Sequence, residues 1–492
     1  MQRIYPNDHR IGKASLKGRR SLLFRFVPLV LGVVSILLPC CPCSTGFAGE
    51  EGPDETARAL HLTLTEAIRL ALVDNRSLQE VQYNLERQGI SLQSSLAGFD
   101  ITYRPDSQLT KTDSVETVRG GVRIEKKFQY GIRAAVSPAV SWSDSTNSGE
   151  VGLSLSIPLF RGFGRKVTMD SVYSSRFSLR AAQRSLHTSK VNTVLATVYA
   201  YYDVIKQQEL VALYRFQIDQ LKSHAAMARM KEKVGLASPI DVYRAEIRLK
   251  DTESALGTVH ESLKNAEDNL KLLLALPIDR PITVAASLVY EPVRLDSETA
   301  VSISLENRIE LLQKEDEIQE AVRRADISKH NLLPQLDLVV DYRRFEQSDA
   351  FGDIGGLGEE RWGVSLSGAT DWSRKEEKLS YRQSLIGVKT ARLTLETTRD
   401  QIILDVRRQL ESLKEALERV EIKREQIRQA EGKLALSKIQ FAHGMASNFD
   451  VIEAETELQR GKVDLLASKI DYIEGTYEMR AVLGTLIERP EG

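Results

Sequence analysis

Two stretches of this sequence place the same residue types at the same spacing. Gly235 to Glu246 reads Gly-Leu-Ala-Ser-Pro-Ile-Asp-Val-Tyr-Arg-Ala-Glu, and 209 residues later Gly444 to Glu455 reads Gly-Met-Ala-Ser-Asn-Phe-Asp-Val-Ile-Glu-Ala-Glu. The chemistry these types can do is first that of helix ends. Gly235 and Gly444 can take the left-handed conformation that closes a helix, Ser238 and Ser447 can cap the next one, and Pro239 stands at the favoured first helical position. Asp241 and Asp450, three residues after the serines, complete a capping box with a shorter acid than usual. In the second copy Glu453 follows Asp450 by three residues, so two carboxylates share a helix face. On sequence alone, capping is the favoured role for both aspartates.

Other constellations that carry chemistry are missing. The seven histidines (His9, His61, His187, His224, His260, His330 and His443) have no metal-ligand spacing, and no His-Glu-x-x-His occurs. No Gly-x-x-x-x-Gly-Lys loop could hold ATP, and Gly162-Phe163-Gly164 lacks the third glycine of a dinucleotide loop. No catalytic residue, cofactor or metal is expected.

The elements that carry the two junctions are long. The flanking segments, roughly Val167 to Val234 and Lys375 to His443, contain no proline, and at ~1.5 Å per residue each could reach about 100 Å. Leu, Ala, Glu, Lys, Arg and Gln dominate them. Leu410, Leu413, Leu417, Val420, Ile427, Leu434 and Phe441 mark one apolar stripe of helical period. Periodicity alone suits a cytoskeletal-type coiled coil or a helical bundle, and the alternative function is a periplasmic coiled-coil adaptor or structural protein.

Stretches of period two interrupt the helices. Ile132, Ala134, Val136, Pro138, Val140 and Trp142 alternate with small or polar residues, and after a polar turn so do Val151, Leu153, Leu155 and Ile157. Leu336, Leu338, Val340 and Tyr342 do the same, followed by Trp362, Val364 and Leu366. Each half is therefore predicted to hold one hairpin, at about 128–158 and 335–368. One face is apolar with aromatic ends and the other is small or polar, the dyad pattern of a lipid-facing barrel with a wet lumen. Trp142 and Trp362 read as anchors in the membrane-interface belt, with ordinary packing as the alternative. Four strands cannot enclose water, so several chains must combine.

The N-terminus agrees with export. Seven basic residues (Arg3, Arg10, Lys13, Lys17, Arg19, Arg20 and Arg25) precede an apolar run from Val27 to Leu38, and Gly46-Phe47-Ala48 offers a cleavage site, so the mature chain is expected to begin at Gly49. All three cysteines, Cys40, Cys41 and Cys43, fall in residues 1–48. Lipidation at Cys40 is disfavoured by Pro39 beside it. Removing this segment turns 67 basic and 68 acidic residues into 60 and 67, a net charge of −7. Nucleic-acid binding calls for the opposite sign.

In order and duplication these motifs resemble the outer membrane efflux protein family, the TolC-like channels, over about residues 60 to 487. Leu62 to Ile68 with Ala71, Leu72 and Asn75 resembles the opening helix, Gly152 to Gly162 the strand-to-helix passage, Leu333-Pro334-Gln335-Leu336 the start of the second hairpin, and the two junctions the periplasmic turns. The resemblance implies an α+β fold: a long antiparallel α-helical coiled-coil barrel plus four β-strands per protomer, contributing to a trimeric 12-stranded membrane β-barrel. Residues 49–297 and 298–492 would be two structural repeats after a signal peptide at 1–48. The implied function is a passive outer-membrane exit duct for efflux or type I secretion. Its partners would be two further copies, outer-membrane lipid, a periplasmic adaptor and an inner-membrane pump of RND or ABC type. Family members place an acidic ring at the tunnel tip, which assigns Asp450 and Glu453 to a pore constriction and leaves Asp241 mainly structural. Threefold symmetry would gather six carboxylates, whose repulsion would raise some of their pKa values. Ser77 and Gly368 depart from the family's usual prolines, and Phe441 and Ala446 stand where some relatives carry a tyrosine and an arginine of the closing network.

Overall fold

The computed structural model describes residues 60–111, 116–143, 146–235, 237–348 and 358–489. The expected leader, its cysteines and the expected start at Gly49 lie outside them. Two copies of one helical plan follow each other. In the first, β1 (Leu60–Leu62) leads into α1 (Leu64–Asp74) and α2 (Arg76–Ala97). In the second, α5 (Ser297–Asn307) and α6 (Ile309–His330) repeat the same lengths, 11 and 22 residues. After the strands, a long helix descends in each copy, α3 (Asp170–Lys233) with 64 residues and α7 (Lys375–Ala442) with 68. A 35-residue helix returns from each, α4 (Pro239–Leu273) and α8 (Asn448–Val482). A short strand, β6 (Ile282–Val284), pairs in parallel with β1.

Local residues set these boundaries. Thr63 and Glu66 form a capping box that starts α1. Asn75 ends α1 with extended backbone (φ −59°, ψ 121°), and its side chain caps Leu78 at 2.9 Å to start α2. Its amide also donates to the Leu273 carbonyl at 2.9 Å, tying α2 to the end of α4. In the second copy Ser304 and Arg308 reach the matching carbonyl, that of Val482.

The long helices are held laterally by apolar burial. Leu62, Ala67, Ala71, Val204, Leu270 and Leu274 form one cluster, with Tyr201 fully buried and its hydroxyl 3.0 and 2.8 Å from the carbonyls of Leu62 and Ala285. Ala300, Val406, Leu410, Leu413, Val420 and Tyr472 form a second. Val194 and Val198 of α3 meet Ile470 and Ile473 of α8 in a third, which joins the two copies.

The sheet is larger than expected. The four anticipated strands are present as β4 (Arg133–Ser143), β5 (Asn147–Pro158), β7 (Gln335–Ser348) and β8 (Glu359–Ala369). A further hairpin, β2 (Ile101–Lys111) and β3 (Glu116–Lys127), precedes them, and the antiparallel order is β2-β3-β4-β5-β7-β8. The expectation of one hairpin in the first half, and so of four strands per chain, is corrected to two hairpins and six strands. Arg104-Pro105-Asp106 in β2 and Gly120-Gly121 in β3 carry turn-forming residues, and these mask the alternation. Pro138, lacking an N–H, sits where the β3–β4 ladder has a gap between Gly121↔Ala139 and Ile124↔Val136. Among the described residues no helix is long and apolar enough to cross a membrane.

Candidate functional site

The two junctions fold as their sequences demand, and they lie against each other. Gly235 and Gly444 both have φ +74°. At the second, the Met445 N–H reaches back to the Gln440 carbonyl at 2.8 Å, the long bond of a Schellman motif. Ser238 and Ser447 cap the returning helices, each completing the box with Asp241 or Asp450. The contact between junctions runs through Asn448, which stands where the first copy has Pro239. It is 2% exposed, its amide donates to the Asp241 carbonyl at 2.8 Å, and its oxygen meets Nε2 of His224 on α3. That contact requires a proton on Nε2, because the amide oxygen only accepts. Lys231 adds a bond to the Phe441 carbonyl at 3.0 Å and stands 3.7 Å over its ring. Phe441 thus anchors a cation contact through both its ring and its carbonyl. The sequence alone does not single out Asn448 or His224, and the local sign is that Asn448 replaces Pro239 of the first copy.

Asp450 accepts from the backbone N–H and the hydroxyl of Ser447 at 2.7 and 2.8 Å. These bonds hold its carboxyl below the usual range, with Lys433 helping. Within one chain the shift is therefore opposite to the rise that crowding around a symmetry axis would cause. Glu453 is exposed on the next turn. Glu457, a turn further along the same face, binds Lys433 at 2.7 Å, and all three carboxylates raise the lysine's pKa. Asp450, Glu453 and Glu457 thus line one face beside Lys433. Sequence reading had missed Glu457, which only packing of α7 on α8 brings in.

A second acidic group lies higher on α8. Burial, then Asp471, pushes Glu474 up to about 7, with Asp203 and Glu478 adding to the rise and Lys206 opposing it. Among the described residues, no group of three or more His, Cys, Asp or Glu is arranged to hold a metal ion.

At the other end, pairing in register sorts the sheet into two faces. Trp142 on β4 sits between Val118 and Asn147, and Trp362 on β8 opposes Tyr342. Both tryptophans fall on the apolar face, and Trp362 is 77% exposed in the single chain. The sheet passes directly into the helices. The Leu159 N–H binds the Leu336 carbonyl at 2.7 Å and the Arg161 N–H binds that of Pro334 at 3.2 Å. Gly131, at φ +96°, lets the β3–β4 turn approach this passage: an added Cβ would lie 2.4 Å from the Gly162 carbonyl oxygen.

A family model described as outer membrane efflux protein matches residues 130–276 and 300–485. The outer membrane efflux protein BepC of Brucella suis biovar 1 is 23% identical over 432 residues, covering 87% of this chain and 86% of its own. Outer membrane protein TolC of Escherichia coli K12 is 21% identical over 319 residues, 61% of this chain and 63% of its own. The outer membrane channel CmeC of Campylobacter jejuni superposes with a TM-score of 0.68 at 14% identity, over 87% of each chain.

Proposed function

The chain belongs to the outer membrane efflux protein family, and on that footing we propose that three copies assemble into one continuous exit duct through the outer membrane and the periplasm. The protein is an outer-membrane efflux channel. The observation that carries the duct reading is a sheet with one apolar face feeding directly into helices of 64 and 68 residues, about 100 Å each. A sheet that faces lipid on one side and water on the other crosses a bilayer only as part of a closed barrel.

Transport is passive in this reading. Energy comes from an inner-membrane pump of RND or ABC type, docked through a periplasmic adaptor at the paired junctions. Export begins with cleavage before Gly49. Trp142 and Trp362 anchor the wall in the lipid interface. Asp450 and Glu453 form the cation-selective constriction, with Asp450 also capping α8. The alternative, a periplasmic coiled-coil adaptor, leaves the apolar face of the sheet without a role.

Purified protein in a planar bilayer tests the duct. Cation-selective conductance, heat-modifiable migration and sedimentation with outer-membrane fractions are expected together. Soluble fractionation without conductance would defeat the reading. Replacing Asp450→Asn and Glu453→Gln together should lower cation selectivity and relieve block by trivalent cations with assembly intact, since Asn still caps. Unchanged selectivity would remove the acidic ring and leave capping alone.

A further inference from the structure

We propose that the hairpin β2–β3 is part of the membrane wall, so that the assembly closes with 18 strands, β2 of each protomer pairing with β8 of the next. The proposal rests on the trimeric reading above, and its strand assignment is tested separately from it.

The hairpin shares the height of the other strands. Tyr103 is level with Ile124, Val136, Leu153, Tyr342 and Trp362, one residue from each of six strands and all apolar or aromatic. The neighbouring row, on the opposite face, is Thr102, Glu125, Ala135, Ser154, Asp341 and Gly363, all polar or small. Further along, Leu109 is level with Val118 and Trp142. The hairpin therefore extends both the apolar and the polar face across the same rows. On the apolar side Tyr103 is 66% and Leu109 74% exposed, which suits contact with lipid chains.

The polar face ties the hairpin to the rest of the wall. Arg119 of β3 forms an ion pair with Glu150 of β5, reaching across β4, where Ala139 and Ser141 are small enough to let it pass.

Closure points the same way. The outer edge of β4 is occupied by β3 from Thr117↔Ser143 to Lys127↔Arg133, so a 12-stranded ring would have to break that ladder. The edges left are β2 and β8, each 11 residues long. Strand β2 leaves a helix and β8 leads into one, so they meet antiparallel, and six strands per chain preserve the alternation around the ring. An exposed strand edge in hydrocarbon is not tolerated. The second repeat passes from α6 to β7 with a single hairpin and is matched by the family model over 300–485, whereas the first match starts at residue 130, after β3. The added hairpin is thus the feature by which the two repeats differ. With diameter growing about linearly with strand number, the barrel mouth would be roughly one and a half times that of a 12-stranded ring.

The test uses the full-length protein with Cys40, Cys41 and Cys43 replaced by serine. Thr102→Cys, Arg104→Cys or Asp106→Cys on β2 is combined with Gly363→Cys, Ser365→Cys or Ser367→Cys on β8. Oxidation should give a covalent dimer-to-trimer ladder for a subset of these pairs. Ala135→Cys or Ser137→Cys on β4 with the same β8 partners should give none. A ladder from β4 but not β2, or no ladder from β2, would overturn the proposal. Single variants guard against misfolding. In proteoliposomes Tyr103→Cys should react with a lipid-phase maleimide and Thr102→Cys with a water-soluble one, and aqueous labelling of both would also overturn it. Native mass measurement reports the trimer independently, so a monomeric particle would defeat the trimeric reading rather than the strand assignment.

Discussion

At the scale of the residue, Asn448 couples the two junctions. Asn448→Ala would leave Nε2 of His224 unpaired in a buried place and remove the bond that the Asp241 carbonyl accepts from outside its own helix, which should destabilise the tip by about 1–3 kcal/mol in thermal unfolding. Replacing exposed Glu453 by Ala is the control and should leave stability nearly unchanged. Glu474 gives a pH signature. Its folded pKa, about 7, lies above the ordinary carboxyl value of 4.5. Its stabilising effect is therefore complete below about pH 4.5 and is lost as pH rises through about 7. The loss should be on the order of 1–2 kcal/mol after solvent screening. Glu474→Gln should flatten the melting temperature over that window, and a wild-type curve that does not fall between pH 5 and pH 8 would show the carboxylate already ionised. Asp450 behaves oppositely. With its pKa lowered by Ser447, the charge persists below the ordinary carboxylate range, so any cation selectivity it confers should survive mild acidification.

At the scale of the element, helix ends organise the chain, and each end can be tested by its glycine. Gly444 and Gly484 share the left-handed conformation, φ +74° and +73°. A Cβ at Gly444 would meet nothing within 4 Å, whereas at Gly484 it would lie 3.0 Å from the backbone of Asn307. Gly444→Ala should therefore cost about 1 kcal/mol, the left-handed penalty alone. Gly484→Ala should cost roughly 2–3 kcal/mol because crowding adds to it. Equal melting temperatures for the two variants would show that the Asn307 backbone yields freely. The first copy has Ala275 at the position matching Gly484, with φ +55°, so the left-handed turn is kept even where the glycine is not. Here the junctions were legible in the sequence because capping is local: the side chain and the N–H it binds are within three residues. The β2–β3 hairpin was not legible, since Pro105, Gly120 and Gly121 imitate turns and only pairing with β4 makes them strand.

At the scale of the whole molecule, the export reading has a simple consequence. If cleavage precedes Gly49, the mature chain has no thiol, and heat-modifiable migration should be identical with and without reductant. A reductant-sensitive band would show that residues 40–43 are retained. By itself the sequence determined the duplication, the long helices, the two capped junctions and four of the six strands. All of these follow from periodicities and caps that act over a few residues. The tertiary structure decided what lies across chain distance. It placed Asn448 against Asp241 and His224, brought Lys433 to the acidic stripe of α8, and buried Glu474 among other acids. It also drew β2 and β3 into register with strands more than 200 residues away. Those contacts arise from the lateral packing of helices and strands, and no local spacing encodes which partner a face will meet.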